Sequence, residues 1–472
     1  MHNEHKRNLL IAASYKNKER VIKRALSCLI GAMLLVGTAL AAAPAPPPIS
    51  PAQIAFYQSS PEVERVRFLI KLSKSGMHEL AAELLQRFPL QGPLAANRTL
   101  YIEGLILEHR HDFTGAARKF RAALADDPKL TLVRSELVQV LVALDENDSA
   151  KHHLQLLEAD APSEMQAAGI RSFIDKINQS HPYWVTGFIS VAPSTNINNG
   201  STHDTVYGKA FDGKGNIGQG SKAQSGFGFQ AGLSAGYSKK LGNRIQAVIA
   251  ASVSTNLYGD SQYDATSTSE SGELRYLLEN GFISLGGVAS QGIDPAQRLL
   301  TYNSYGPRVA INYQVSQRNL FKASVVDEYR DYMNSSVQNG MALSIDASVT
   351  HAIDSSMNFT PFGGYEKIDA GLPWLAYQRS YGGLNLYREM PMGVTLDING
   401  QVHFINFDGD NPITGNTRQD QRYVASATLT KRDLNLLGFA PSLTYTYTLN
   451  KSNSAIFDYD SHAFNFSLTK DF

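Results

Sequence analysis

The chain has 472 residues, with 43 basic and 43 acidic side chains, 43% hydrophobic and 18% charged residues, and a single cysteine. That balance excludes a disordered chain, a disulfide scaffold and a strong nucleic-acid binder. Beyond residue 42 no apolar run approaches the roughly 18 residues a spanning helix needs, which leaves open a membrane β-barrel, whose alternating strands escape hydropathy windows.

The chain opens on Lys6, Arg7, Lys16, Lys18, Arg20, Lys23 and Arg24 against Glu4 and Glu19. An apolar core over 25–39 follows, then Ala39-Leu40-Ala41 or Ala41-Ala42-Ala43 as a small-residue cleavage site. This order predicts a signal peptide over 1–43 and export to an oxidising compartment. Cleavage removes Cys28 and, with seven basic against two acidic residues lost, leaves a mature chain at −5. Prolines at 44, 46–48, 51 and 61 predict a stiff extended linker over 44–61.

From 62 to 180 apolar residues recur at helical spacing, and the segment repeats at about 34 residues, the tetratricopeptide length. Leu100, Gly104, Leu107, Ala116, Phe120, Ala123 and Pro128 reappear as Arg134, Val138, Leu141, Ala150, Leu154, Leu157 and Pro162. A degenerate copy over 62–90 reads as a terminal cap. Stacked units of this kind form a concave protein-binding surface, and position along the first helix of each unit assigns Arg98, Tyr101, Glu108, Ser135 and Gln139 to it. His109/His111 and His152-His153 sit at spacings that point to different helix faces, so they are expected to be solvated and not metal ligands.

From Tyr183 to the C-terminus the period changes to two, as in Leu343, Ile345, Ala347 and Val349 interleaved with Ser344, Asp346, Ser348 and Thr350. Fourteen strands fit between 183 and 472, an even number as single-chain outer-membrane barrels require. Their connections alternate: long over 192–224, 258–271, 291–301, 330–340, 366–376 and 407–420, short near 239–243, 280–281, 317–318, 354–356 and 389–392. Only 432–440 is longer than this scheme wants. Long loops outside and short turns inside make the first strand leave a periplasmic helical domain. The predicted fold class is thus an N-terminal α-helical, tetratricopeptide-like domain followed by a transmembrane antiparallel β-barrel. A water-soluble β-sandwich would share the alternation but not the aromatic residues at both ends of the stripes.

The wet face assigns Arg308, Asn312, Gln314, Lys322, Asp346, Asp397, His403 and Arg422 to the lumen, with charges of both signs. Phe464, Phe466, Leu468 and the terminal Phe472 share one face of the last strand, a pattern that resembles the signal read by the bacterial barrel-assembly machinery. Neither His203-Asp204 nor the Asp260/Asp264 pair has a serine elbow or a metal-type spacing. No catalytic, cofactor or metal constellation is predicted.

The string Gly187-Phe188-Ile189-Ser190-Val191-Ala192-Pro193-Ser194-Thr195-Asn196-Ile197-Asn198-Asn199-Gly200 at the barrel start, and Ser452-Asn453-Ser454-Ala455-Ile456-Phe457-Asp458-Tyr459 before the closing strand, resemble the surface lipoprotein assembly modulator (Slam) family. The resemblance covers nearly the whole mature chain. It implies an outer-membrane translocon that moves client proteins, surface lipoproteins or secreted haem-carrier-like effectors, from periplasm to surface. Periplasmic chaperones, the assembly machinery and the lipid bilayer would be its partners, and no nucleic acid. A passive porin with a periplasmic protein-docking arm is the alternative that alternation and spacing leave open. A polysaccharide exporter would need a longer repeat array.

Overall fold

The computed structural model describes residues 50–470, apart from 298, 433 and 435–438. The proposed signal peptide and Phe472 lie outside the described residues. Eight α-helices come first among these: α1 (Pro51–Ser59), α2 (Glu62–Lys74), α3 (His78–Arg87), α4 (Ala95–His109), α5 (Phe113–Asp126), α6 (Thr131–Ala143), α7 (Asn147–Ala159) and α8 (Glu164–Ser180).

Helix α1 corrects the expected extended linker. Pro51 sits in the first turn, where its missing N–H costs nothing, and Ser50 and Gln53 form a reciprocal capping box. Of the remaining helices, two carry a side-chain N-cap, and prolines stand in connections between helices. Asp112 accepts from the Gly115 amide at 2.9 Å ahead of α5, Ser163 caps α8, and Pro128 and Pro162 stand in the connections that follow α5 and α7.

Positions 34 apart are buried alike: Ala116 and Ala150 at 0%, Phe120 at 0% and Leu154 at 5% exposed. They pack with Leu137, Val138 and Leu141 into one apolar cluster, while Tyr57, Leu69, Leu84 and Ile102 form a second around α1–α4. Gly104 lets α4 and α5 touch: a Cβ there would lie 2.3 Å from the Phe120 ring.

Fourteen antiparallel strands then close on themselves: β1 (Tyr183–Ser194), β4 (Gly226–Lys240), β5 (Ile245–Tyr258), β6 (Ala265–Leu278), β7 (Gly281–Asp294), β8 (Leu299–Ser316), β9 (Asn319–Tyr332), β10 (Gly340–Asp354), β11 (Met357–Ile368), β12 (Tyr377–Met390), β13 (Val394–Asp410), β14 (Thr417–Lys431), β15 (Ala440–Ser452) and β16 (Tyr459–Lys470). The alternation separates two faces. Outward stand exposed Val185, Ile189, Leu233, Ile249, Val309, Ile345, Ile398 and Phe466, an apolar coat that belongs against lipid and leaves no free sheet edge.

Two features depart from the sequence reading. The strands reach further than their apolar stripes: β6 begins at Ala265, not 272, β7 extends to Asp294, and the loop expected over 407–420 shrinks to 411–416. The added halves, such as Thr266 to Ser271, are Ser- and Thr-rich and carry no apolar alternation, so only the ladder reveals them. The first long loop also contains its own hairpin, β2 (Thr205–Gly208) with β3 (Gly213–Asn216).

Candidate functional site

Three regions carry structure beyond what a barrel needs: the seat of the helical domain, the lumen, and a clamp at the far end. The helical domain sits on the turns at one end of the barrel. Arg134, on α6, is 1% exposed, and its guanidinium donates to the Glu389 carboxylate of β12 at 2.7 Å. It also donates to the Pro128 carbonyl and lies 3.0 Å from His153 Nδ1. His152 approaches the other Glu389 oxygen at 3.5 Å and packs edge-on against Tyr387. Further out, Lys129 pairs with Asp354 at 2.8 Å, Arg318 Nε donates to the Ala159 carbonyl at 3.3 Å, and Asp175 lies 4.0 Å from Lys240.

This overturns the solvated reading of His152 and His153. Burial, the largest cause, pushes both imidazoles below their ordinary pKa, and nearby Arg134 adds to the effect. Arg134 itself occupies the repeat position where Leu100 stands in the preceding unit. Its aliphatic stem fills the apolar slot while its head reaches the barrel. An arginine at an otherwise apolar repeat position was the one sequence signal for this seat.

The proposed groove residues separate into two groups. Tyr101 packs at a tilt against Phe120, 6.1 Å between centroids, and its hydroxyl is raised in pKa by burial and by Glu136 and Glu108. Burial and Glu136 likewise raise Glu108, and Lys74 pairs with Glu136. Tyr101, Glu108, Glu136 and Lys74 thus form one cluster across α2, α4 and α6. Arg98 is instead tied to Glu62, Ser135 donates to the Thr131 carbonyl in its own helix, and Gln139 is exposed.

All eight lumen candidates lie on the face opposite the apolar coat. Arg308, Lys322 and Asp346 line one cavity of about 360 Å³ with Arg275, Phe282 and Tyr381. Asp397 accepts from Asn385 at 2.8 Å, His403 stacks on Tyr381 at 5.3 Å, and Arg422 donates to Asn450 at 3.2 Å. Most other charges on this wall are paired within it, as Arg275–Glu273, Arg330–Glu328 and Arg379–Glu366 show. A larger cavity, about 890 Å³, lies between the helical domain and the barrel floor, bounded by Gln155, Asp175, Trp184, Gln246, Lys322 and Tyr387 among others. Among the described residues no group of three or more His, Cys, Asp or Glu side chains could hold a metal ion.

The sequence profile described as "Surface lipoprotein assembly modifier" matches residues 184–472, the entire barrel. The chain belongs to the surface lipoprotein assembly modifier family. Among curated relatives, "Surface lipoprotein assembly modifier" of Pasteurella multocida is 23% identical over 399 residues, covering 79% of this chain and 76% of that one. "Surface lipoprotein assembly modifier 1" of Haemophilus influenzae is 22% identical over 414 residues, covering 84% and 81%. Of solved structures, a Pseudomonas aeruginosa FadL homologue is similar at a TM-score of 0.38 and 9% identity, covering 62% of this chain and 91% of that one. Pseudomonas putida OprB reaches 0.36 at 9% identity, covering 64% and 95%.

In this family member the Ser194-Thr195-Asn196-Ile197-Asn198 string does local structural work. Strand β1 pairs with β16 from Gly187↔Lys470 to Val191↔Phe466, and the register resumes at Ser194↔Ala463 beyond Pro193. Above that gap Asn196 Nδ2 donates to the carbonyls of Gly200 (2.9 Å) and Asp460 (3.1 Å), and its Oδ1 accepts from the Gly200 amide. Thr195 Oγ1 accepts from the His462 amide, and Ser201 Oγ donates to the Ala455 carbonyl. The ends of the two strings that carried the resemblance are thus brought together, through Ser201 just past the first and Asp460 just past the second, and clamp the far end of the seam. Phe464, Phe466 and Leu468 face outward from β16, 43%, 53% and 37% exposed.

Proposed function

We propose that this chain is an outer-membrane translocon whose helical domain stands in the periplasm and receives client proteins, surface lipoproteins or secreted haem-carrier-like effectors, for passage to the surface. The observation that carries the reading is the seat of the helical domain: it covers the barrel mouth and is bonded to three separate turns, with a chamber left between. A porin gains nothing from such a cover, whereas a transporter that must accept a protein before opening needs a receiving surface at its entrance. Membership in a family described by surface lipoprotein assembly agrees with that role.

The Tyr101–Glu108–Glu136–Lys74 cluster is the proposed docking surface for the client or for a chaperone that delivers it, with Arg98, Ser135 and Gln139 at its margin. Arg308, Lys322, Asp346, Asp397, His403 and Arg422 are proposed to face the lumen through which the client passes. The outward aromatic side chains of β16 are proposed to be read by the barrel-assembly machinery during insertion. The proposed role is non-enzymatic and uses no cofactor, the work coming from client folding or from partner machinery.

The test is surface shaving by protease in cells with and without the chain, with the released peptides identified by mass spectrometry. At least one lipoprotein or secreted protein should disappear from the surface without the chain and return with the full chain, but not with a version lacking 62–179. An unchanged surface proteome would refute the reading. A large, persistently open conductance in planar bilayers would favour the passive channel.

A further inference from the structure

The lumen has two unlike walls. On β6 and on β8–β14 the inward positions carry nearly all its charges. On five adjacent strands, β15, β16, β1, β4 and β5, the inward positions carry none, apart from Lys240 in the turn beside the helical domain. Those positions are Ser, Thr, Asn, Gln and Gly in the main. Ser442 and Ser467 bond each other at 2.6 Å across β15 and β16, and Thr428 and Thr444 do so at 2.9 Å across β14 and β15.

This wall is also smooth. Trp184 and Phe188 point inward from β1, yet each ring lies over a glycine of β4 and does not project. A Cβ on Gly236, paired with Trp184, would fall 2.0 Å from the indole, and one on Gly232, paired with Phe188, 2.4 Å from the phenyl ring. Two glycines at these two cross-strand partners are what allow the rings to lie flat.

Space and anchorage agree with this asymmetry. The 890 Å³ chamber under the helical domain reaches the foot of the uncharged wall at Trp184, Ser238 and Gln246, and a further 360 Å³ cavity continues along it past Thr444, Asn465 and Ser467. The close bonds that seat the helical domain, from Arg134, Lys129 and Ala159, all reach turns of the charged wall. Beneath the uncharged wall the nearest ion pair is Asp175–Lys240 at 4.0 Å.

We propose that a client crosses this barrel as an extended polypeptide threaded along the uncharged wall, entering at Trp184 and leaving under the Asn196 clamp. Hydroxyl and amide side chains both donate and accept, so they exchange partners with a passing peptide backbone whatever its sequence. A wall of fixed charges would hold opposite charges and reject like ones in low-dielectric surroundings. The charged wall, already paired within itself, acts as the rigid mount for the receiving domain. This rests on the translocon reading and adds the path and the conformation of the client.

The test places a photo-crosslinking phenylalanine analogue, one site at a time, at Ser234, Thr444 and Ser467 of the uncharged wall and at Asn312 and Ser324 of the charged wall, in the full chain in cells. The probe is the epitope-tagged protein whose surface display is lost without the chain, fused to a stably folded domain that stalls it. Heat-modifiable mobility on gels confirms that each variant has folded, and only folded variants are scored. Adducts at Ser234, Thr444 and Ser467 at least tenfold above those at Asn312 and Ser324 are the expected result. Equal or stronger adducts on the charged wall, or none from any site while the unfused protein is still displayed, overturn the path but leave transport standing. A surface proteome in which no protein's display depends on the chain overturns both.

Discussion

Arg134 and Glu389 are 255 residues apart in sequence and 2.7 Å apart in the structure, one on a helix and the other at the end of a barrel strand. Both side chains are nearly enclosed, 1% and 12% exposed, so the pair is held by geometry more than by solvent-screened attraction. A buried pair adds little against an apolar replacement, but breaking it leaves one charge stranded at a cost of about 3–5 kcal/mol. Glu389→Ala should therefore unseat the helical domain, and Arg134→Met with Glu389→Leu should restore much of the loss. Hydrogen exchange over 128–160 and over the turn at 389–394, in the full chain, reads this. Single and double variants that exchange alike would show that the pair does not seat the domain.

The same junction predicts a pH dependence of known sign. His152 and His153 ionise below their ordinary pKa in the seated state, chiefly because burial disfavours the charged ring. Arg134 faces both rings and opposes their protonation, as Arg432 does for His152 and Arg121 for His153, while Glu389 favours it. In the unseated state both rings titrate near 6.5, so that state binds more protons as pH falls below that value. Seating is then fully supported above about 6.5 and weakens as pH falls through and below it. The opening of the junction, read as hydrogen exchange divided by the intrinsic amide rate at pH 8, 6 and 5, should rise toward acid, and His153→Gln should flatten the trend. A flat profile in the parent chain would refute it.

How much of this was legible in the sequence depends on whether the signal was local. Alternation and loop lengths are local, so the barrel, its fourteen strands and the inward facing of Arg308 through Arg422 could be read from spacing. So could the 34-residue offset that buries Ala116 with Ala150 and Phe120 with Leu154. The polar halves of β6 and β7 could not, because hydroxyl-rich strands beyond the lipid belt have no apolar stripe. Of the seat of the helical domain only the arginine at an apolar repeat position was visible: Arg134–Glu389 is a contact between distant segments, and nothing near His152 marks its ring for burial. The Asn196 clamp was visible only as an unusual string, without a hint that its partner across the seam is the Asp460 carbonyl.

In the helical domain the closest approach is at Gly104. Adding a methyl group would set it 2.3 Å from the Phe120 ring, itself 0% exposed and fixed in the core. Gly104→Ala improves helix propensity by up to about 1 kcal/mol, yet overpacking a closed core costs about 1–3 kcal/mol, and here the second effect wins. The far-ultraviolet helical signal of the full chain should melt several degrees earlier, with the barrel's heat-modifiable mobility unchanged. A higher melting temperature would mean that α4 and α5 separate more easily than their packing suggests.

At the barrel's far end, Asn196 is 4% exposed and uses both ends of its amide, donating to the Gly200 and Asp460 carbonyls and accepting from the Gly200 amide. It sits just above Pro193, beside which the ladder between β1 and β16 is interrupted, so the side chain stands in where backbone pairing fails. Asn196→Ala leaves three polar groups without that partner, and a buried unsatisfied group costs about 1–3 kcal/mol. The temperature at which the folded barrel converts to its unfolded band on gels should fall accordingly. Asn198 bonds within the first loop, to the Gly200 and Gln224 amides and the Lys222 carbonyl, and not to the closing strand. Asn198→Ala should therefore loosen that loop while leaving the conversion temperature nearly intact. If the two substitutions lowered it equally, the seam would be held by the loop as a whole and not by the Asn196 amide.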